Sequence, residues 1–469
     1  MRFLPQFAAA ATLLLLAVPI ARAGNVSGYV QSNLVSDIPG MAQVTDPNLK
    51  NPWGVAFGGT TAFWVSNQAT NTASLYSFNG TTVGEPNPPG VPTGNFVNVP
   101  PEVSTPPNGS TGVVFAGGAG FTIPAANGGG SPNFIFSTLD GSIEAWVAGH
   151  MNAQLGVQVP GAIFTGLALG MSGGSNFLYA ADDKNGAIDV FNTSFTNVTN
   201  TMFAGKFVDP NLPAGFTPFN IQLLNGNFYV AYAHPNGIVQ GPGGFVDEYN
   251  TSGNLIARLV SDPTGTMLNG PWGMAIAPST FGPAAGDLLV GNFGNATATG
   301  GNGTIAAFSL SGNTATFVGD LADGSGNPIA IPGLWSLEFG NNGSAGSSNV
   351  LDFTAGINGQ ADGLVGELSA VPEPASAIQA TLGLVIASAY LAYRRRRRAS
   401  VIGDRPAEVN GAGVHQEVGR CRRGGKRSPL ASRRSAPGDN AIVHAPPHRP
   451  EPHRSSRWDA ERGTRRANR

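Results

Sequence analysis

The sequence predicts an all-β fold, a six-bladed β-propeller, on three observations. A short motif recurs six times, two further apolar strands follow each copy, and a lone strand precedes the first. The clearest copies are Asn51-Pro52-Trp53-Gly54-Val55-Ala56-Phe57 and Gly270-Pro271-Trp272-Gly273-Met274-Ala275-Ile276. Weaker copies begin at Ser110, Phe164, Thr217 and Gly333, so the repeat length is roughly 53 to 63 residues, the scale of a propeller blade. An in-phase sixfold repeat argues against the competing β-sandwich.

Each element follows from local pattern. Second strands are expected at 62–65, 133–136, 177–180, 227–230, 287–290 and 350–353. Third strands follow a Gly/Asn turn at 73–78, 141–146, 186–191, 244–249, 303–308 and 363–368. Both sets alternate apolar with polar residues and are rich in β-branched and aromatic side chains. An outer fourth strand, such as residues 255–260, is expected to complete each unit. Residues 29–36 lie where an outer strand belongs, while the sixth unit stops after its third. The N-terminal strand is therefore expected to complete the last blade and hide two sheet edges.

The flanks differ from this body, residues 24–370. Residues 1–23 read as a signal peptide: Arg2, an apolar run from Phe7 to Ile20, then Ala21-Arg22-Ala23. A buried N-terminal helix is the alternative. Residues 375–393 form an uncharged stretch, about 28 Å long as a helix and enough to span a bilayer. Arg394, Arg395, Arg396, Arg397 and Arg398 follow as a membrane stop. Residues 399–469 are a basic low-complexity tail, either disordered or a readthrough or frameshift product.

The formal net charge of −2 hides two populations. Residues 1–393 carry six basic and 21 acidic side chains, whereas the remainder carries 20 basic and seven acidic ones. The acidic body argues against nucleic-acid binding. Its lack of cysteine (Cys421 lies in the tail) excludes thiol catalysis and cysteine-ligated metals there.

Val371-Pro372-Glu373-Pro374, an apolar span and an arginine cluster together resemble the PEP-CTERM sorting signal of Gram-negative bacteria. That resemblance implies recognition by exosortase, after signal peptidase and the secretion machinery have handled the N-terminus. It also implies transient residence in the inner membrane and an association with exopolysaccharide. Two prolines around one residue favour the extended backbone that a protease needs. The tail after Arg398 departs from the family, whose signals end near the arginines. Residues 28–370 resemble bacterial propeller proteins bearing this signal, which bring no established activity, and share the general layout of NHL and gluconolactonase-like propellers.

In such a layout the loops before the first strands and the turns between second and third strands share one face. Candidate ligand-face residues are Trp53, Asn67, Asp182, Asp183, Lys184, Trp272, Asn292, Asn295 and Trp335. The Trp-Gly pairs also suit blade packing. Asn67, Asp182, Asp183 and Asn292 offer hard oxygen atoms for calcium, although Asn and Asp are also common turn formers. His234 is a candidate general base for lactone opening, or simply a loop residue. Two functions remain open: an exported, non-catalytic binding module at the cell surface or in the extracellular matrix, or a calcium-type lactonase-like hydrolase outside the cytoplasm. A channel simply plugged by side chains is a third possibility.

Overall fold

A computed structural model describes residues 24–79, 82–91, 94–234, 242–294, 303–371 and 383–394. The chain divides into two compact units, residues 1–389 and 390–469. Of the second unit, residues 390–394 are described, and they are helical.

The first unit is a six-bladed propeller. Blade 1 contains Pro52–Ala56, Phe63–Asn67, Thr72–Asn79 and Thr82–Gly84, in that order from the axis outward. Blade 2 contains Ser110–Phe115, Phe134–Thr138, Ser142–Trp146 and Gln154–Gln158. Blade 3 contains Phe164–Ser172, Ser175–Asp182 and Ala187–Asn192, and blade 4 Thr217–Leu224, Asn227–Ala233, Gly244–Tyr249 and Leu255–Asp262. Blade 5 contains Pro271–Ile276, Leu288–Asn292, Ile305–Ser311 and Thr314–Ala322. Blade 6 contains Leu334–Phe339, Leu351–Ala355 and Leu364–Ala370, and is completed by Tyr29–Ser36. Each of the six inner strands packs on the next, and the sixth packs on the first.

The ring closes as the sequence implied. Tyr29–Ser36 pairs antiparallel with Leu364–Ala370, from Tyr29 opposite Ala370 to Ser36 opposite Leu364. Val26–Ser27 also pairs in parallel with the outer strand of blade 5, so the N-terminal segment grips two blades.

Blade 3 corrects the expectation of four strands throughout. Its third strand is followed by a looped segment that makes one isolated bridge, Phe191 to Asn197. Thr199 and Val198 occupy the hydrogen-bonding groups of Val190 there. Phe203 and Phe207 from the segment fill the apolar cluster between blades 3 and 4. Side-chain burial thus replaces a fourth ladder.

Both faces of a blade meet a neighbour, and an apolar cluster occupies each of the six seams. The recurrent glycine of the inner strand has a packing cause. A Cβ on Gly273 would lie 2.3 Å from the carbonyl oxygen of Trp335, and one on Gly112 would lie 2.5 Å from the Leu167 nitrogen. Neighbouring inner strands approach too closely there for a side chain to be added without movement.

The predicted signal peptide, Pro372, Glu373, Pro374, Arg395, Arg396, Arg397, Arg398 and the tail lie outside the described residues. Val371 is partly exposed, and its N–H donates to the Gly28 carbonyl at 2.7 Å. Residues 383–393 of the predicted span are helical and exposed, as is Arg394. Among the described residues no helix is long and apolar enough to cross a membrane.

Candidate functional site

The inner strands enclose a blind channel. At the end where these strands begin, Trp53, Phe219, Trp272, Phe293 and Trp335 form one buried aromatic cluster around the axis. Trp53 stacks on Trp335, and Trp272 meets Trp335 edge-on with centroids 5.8 Å apart. The Trp335 Nε1–H donates to Asn51 Oδ1 at 3.0 Å, and that of Trp272 to the Thr165 carbonyl at 2.9 Å. These indoles are large apolar bodies with one donor each, so a partner for the donor lets the ring be buried.

The three tryptophans therefore do not form an open ligand face. Trp53, Trp272 and Trp335 are 2%, 3% and 0% exposed, and they plug one end of the channel. Their position before the inner strands was legible; that they would meet across the axis was not.

A cavity of about 360 Å³ lies beyond the plug. Ala56, Val114 and Ala168 contribute alkyl wall, Trp272 reaches it, and Gln222 and Glu338 bring polar chemistry. The six inner strands align so that Gly54, Gly112, Gly166 and Gly273 correspond to Asn220 in blade 4 and Ser336 in blade 6. Two positions later, Gln222 and Glu338 replace the small or alkyl residues of the other blades. Blades 4 and 6 thus carry the polar side chains of this wall.

Those groups are held in defined orientations. A bulge between Pro271 and Met274 frees the Met274 N–H, which donates to Gln222 Oε1 at 2.6 Å. Asn220 Nδ2 donates to the Trp272 carbonyl at 2.8 Å and to Gln222 Oε1 at 3.3 Å. With its oxygen engaged, Gln222 offers its amide N–H groups to the cavity. Burial pushes the Glu338 carboxyl up to about 8, against a backbone hydrogen bond from Phe339 that lowers it. In neutral solution Glu338 is mainly an uncharged acid that can donate a hydrogen bond.

The remaining candidates serve their own turns. Asn67 is buried and donates to Thr72 Oγ1 at 3.1 Å and Ser74 Oγ at 2.8 Å, while its Oδ1 has no hydrogen-bond partner among the described residues. Asp182 accepts from the Ile163 and Asn185 N–H groups at 3.2 Å each and from Asn185 Nδ2 at 2.6 Å. Asp183 accepts from Thr217 Oγ1 at 2.7 Å. Asn292 Oδ1 accepts from the Asn269 N–H at 2.9 Å, and its Nδ2 donates to the Met267 carbonyl.

Asn67, Asp182 and Asn292 end the second strands of their blades, opposite Pro52, Phe164 and Pro271. Turn capping explains their recurrence. Among the described residues no group of three or more His, Cys, Asp or Glu is arranged to hold a metal. Lys184 is exposed, and Asn295 lies outside the described residues. His234 is half-buried just after its strand; Nδ1 donates to the Gly215 carbonyl at 2.9 Å, and its ring packs on Phe216 with centroids 4.1 Å apart.

No protein-family model matches the chain. It is similar to two uncharacterized proteins of Acanthamoeba polyphaga mimivirus. One is 29% identical over 356 residues, covering 71% of this chain and 78% of the relative. The other is 28% identical over 360 residues, covering 73% and 86%. These relatives are viral, whereas the sorting-signal resemblance is to bacterial proteins.

Solved structures with a similar layout include a soluble aldose sugar dehydrogenase from Escherichia coli, 11% identical, with 73% of this chain and 99% of that chain covered and a TM-score of 0.41. A glucose dehydrogenase is 13% identical over 68% and 96%, with a TM-score of 0.40. A candidate gluconolactonase is 14% identical over 56% and 90%, with a TM-score of 0.32. At these values the likenesses concern architecture and carry nothing about chemistry.

Proposed function

We propose that the chain is an exported, non-catalytic binding module whose channel takes a small uncharged ligand rich in hydroxyl and ether oxygens, as in a carbohydrate. The observation that carries this reading is the pairing of Gln222 and Glu338. An oriented amide and an uncharged acid line a wall that is otherwise largely alkyl. A few placed polar groups in an apolar concavity of this volume are typical of small-ligand sites.

The sorting-signal reading adds exosortase processing and an extracellular polysaccharide setting. It rests on Val371-Pro372-Glu373-Pro374, the apolar stretch and the arginines. Intact-mass analysis of material recovered from membrane and medium tests it: cleavage after Ala23 and near Glu373 is expected, and retention of both flanks overturns it.

Binding is tested by titrating neutral oligosaccharides into the full-length chain and its Ala168→Phe variant, with circular dichroism as a folding control. Saturable binding lost in the folded variant is expected. Equal binding by both proteins, or binding by neither, removes the channel as the site.

A further inference from the structure

Blade 6 carries three acids in one cross-strand row. Glu338 on the inner strand lies opposite Asp352 on the second, and Asp352 lies opposite Glu367 on the third. Directly opposed residues project to the same side of a sheet, with Cβ atoms about 4.5–5.5 Å apart. Leu337, Leu351 and Phe353 occupy the other side and join the cluster shared with blade 5. Val365, on the acids' side of the third strand, joins the cluster shared with blade 1. The row therefore looks into the seam between the last blade and the first, where the ring closes.

Among the described residues, no cation in that seam neutralises the row. The two innermost strands of blade 1, Pro52–Ala56 and Phe63–Asn67, contain no titratable side chain. Tyr76 of its third strand donates to Asp46 Oδ2 at 2.6 Å. On the outer side, the only titratable residue of Tyr29–Ser36 is Tyr29, whose hydroxyl donates to the Phe281 carbonyl. The inner and second strands of blade 5 contain none, and Asp287 directly precedes the second. Lys50, beside the closure, pairs with Asp37 and Asp362. Asp352 is 3% exposed, and neither of its carboxyl oxygens has a hydrogen-bond partner among the described residues.

We propose that Glu338, Asp352 and Glu367 form a proton-operated latch: protonated, the row lets blade 6 pack on blade 1, and ionised, it loosens the ring closure. Three carboxylates in one row, Asp352 buried and Glu338 and Glu367 half-buried, without a cation beside them among the described residues, would repel one another and lose hydration. Burial raises all three acids, and Asp352 is raised further by its neighbours Glu367 and Glu338.

The sign is fixed by linkage. The folded row keeps protons that the unfolded chain gives up near the ordinary carboxylate range. Its support is full in acid and is lost as the pH rises toward the folded value of about 8 for Glu338. Each proton released on opening changes the opening equilibrium by up to about tenfold per pH unit.

Amide hydrogen exchange on the full-length chain at pH 6 and pH 9, corrected for intrinsic rates, tests the latch. Protection of Tyr29–Ser36 and Leu364–Ala370 is expected to fall by at least about tenfold at pH 9 relative to the first two strands of blade 3, Phe164–Ser172 and Ser175–Asp182. Asp352→Asn should abolish most of this selective loss, and the Glu338→Gln/Glu367→Gln double variant serves if the asparagine variant does not fold. Glu144→Gln in blade 2 should leave the selective loss in place. Uniform pH dependence across the blades overturns the proposal, as does a selective loss unchanged in the ladder variants.

Discussion

Trp53 and Trp335 stack with ring centroids 3.6 Å apart and planes 20° apart, joining the first blade to the last at the propeller axis. Four aromatic neighbours of Trp335 lie within 6 Å, centroid to centroid: Trp53, Phe219, Trp272 and Phe293. Replacing Trp335 with Ala removes the centre of the plug. We expect a loss of about 3–5 kcal/mol, read from a lowered urea midpoint. A midpoint shift under 1 kcal/mol, on the order of a surface substitution, would mean that the cluster adds little to closure.

Gly273 and Gly59 make a matched test of close approach. At Gly273 an added Cβ meets the Trp335 carbonyl oxygen and the Leu337 nitrogen, whereas Gly59 has open space around it. Gly273→Ala should cost about 1–3 kcal/mol or more by overpacking. Gly59→Ala should stay within about 1 kcal/mol of the parent. Thermal denaturation of the two variants separates them.

Glu144 and Asp262 should give opposite pH responses. Glu144 is fully buried, its carboxyl oxygens have no hydrogen-bond partner among the described residues, and burial raises it from 4.5 to about 8. Its contribution is full below about pH 4.5 and is lost as the pH rises to about 8. Glu144→Gln should therefore remove one proton's worth of the alkaline decline in melting temperature. Asp262 is the reverse case. Burial opposes its ionisation, but N–H groups of Leu268, Met267 and Thr266 outweigh that and lower it to about 2. Its contribution is full above about pH 4 and is lost as the pH falls toward 2, so Asp262→Ala should flatten the acid limb.

Tyr29 ties the closing strand to blade 5. Its hydroxyl donates to the Phe281 carbonyl and accepts from the Ala284 N–H, both at 2.9 Å. Tyr29→Phe leaves both buried backbone groups without this partner and should cost about 1–3 kcal/mol. Chemical denaturation measures the loss, and an unchanged midpoint would show that other groups take over both bonds.

The architecture was legible because the inner-strand motif repeats with its glycine, and that glycine answers to a backbone contact between blades. Three features were not. The missing outer strand of blade 3 is replaced by Phe203 and Phe207, which repeat no motif. The tryptophan plug needs the ring to be closed before its members meet. The row Glu338, Asp352, Glu367 sits in Leu-Glu-Phe, Leu-Asp-Phe and Gly-Glu-Leu, an alternation that in an ordinary sheet puts the acid toward water. In a propeller both blade faces are covered, so the same alternation buries Asp352 and half-buries Glu338 and Glu367.

The N-terminal strand is synthesised first and finds its antiparallel partner last. Tyr29 must wait for Ala370, 341 residues later, before its ladder can form. Pairings that distant in sequence slow folding and leave an open sheet edge on the growing chain. Blades 1 to 5 can assemble as synthesis proceeds, but the circle cannot close until Leu364–Ala370 has been made. Any machinery that handles this chain during its synthesis therefore meets an open arc, with Tyr29–Ser36 still available to pair with the wrong edge.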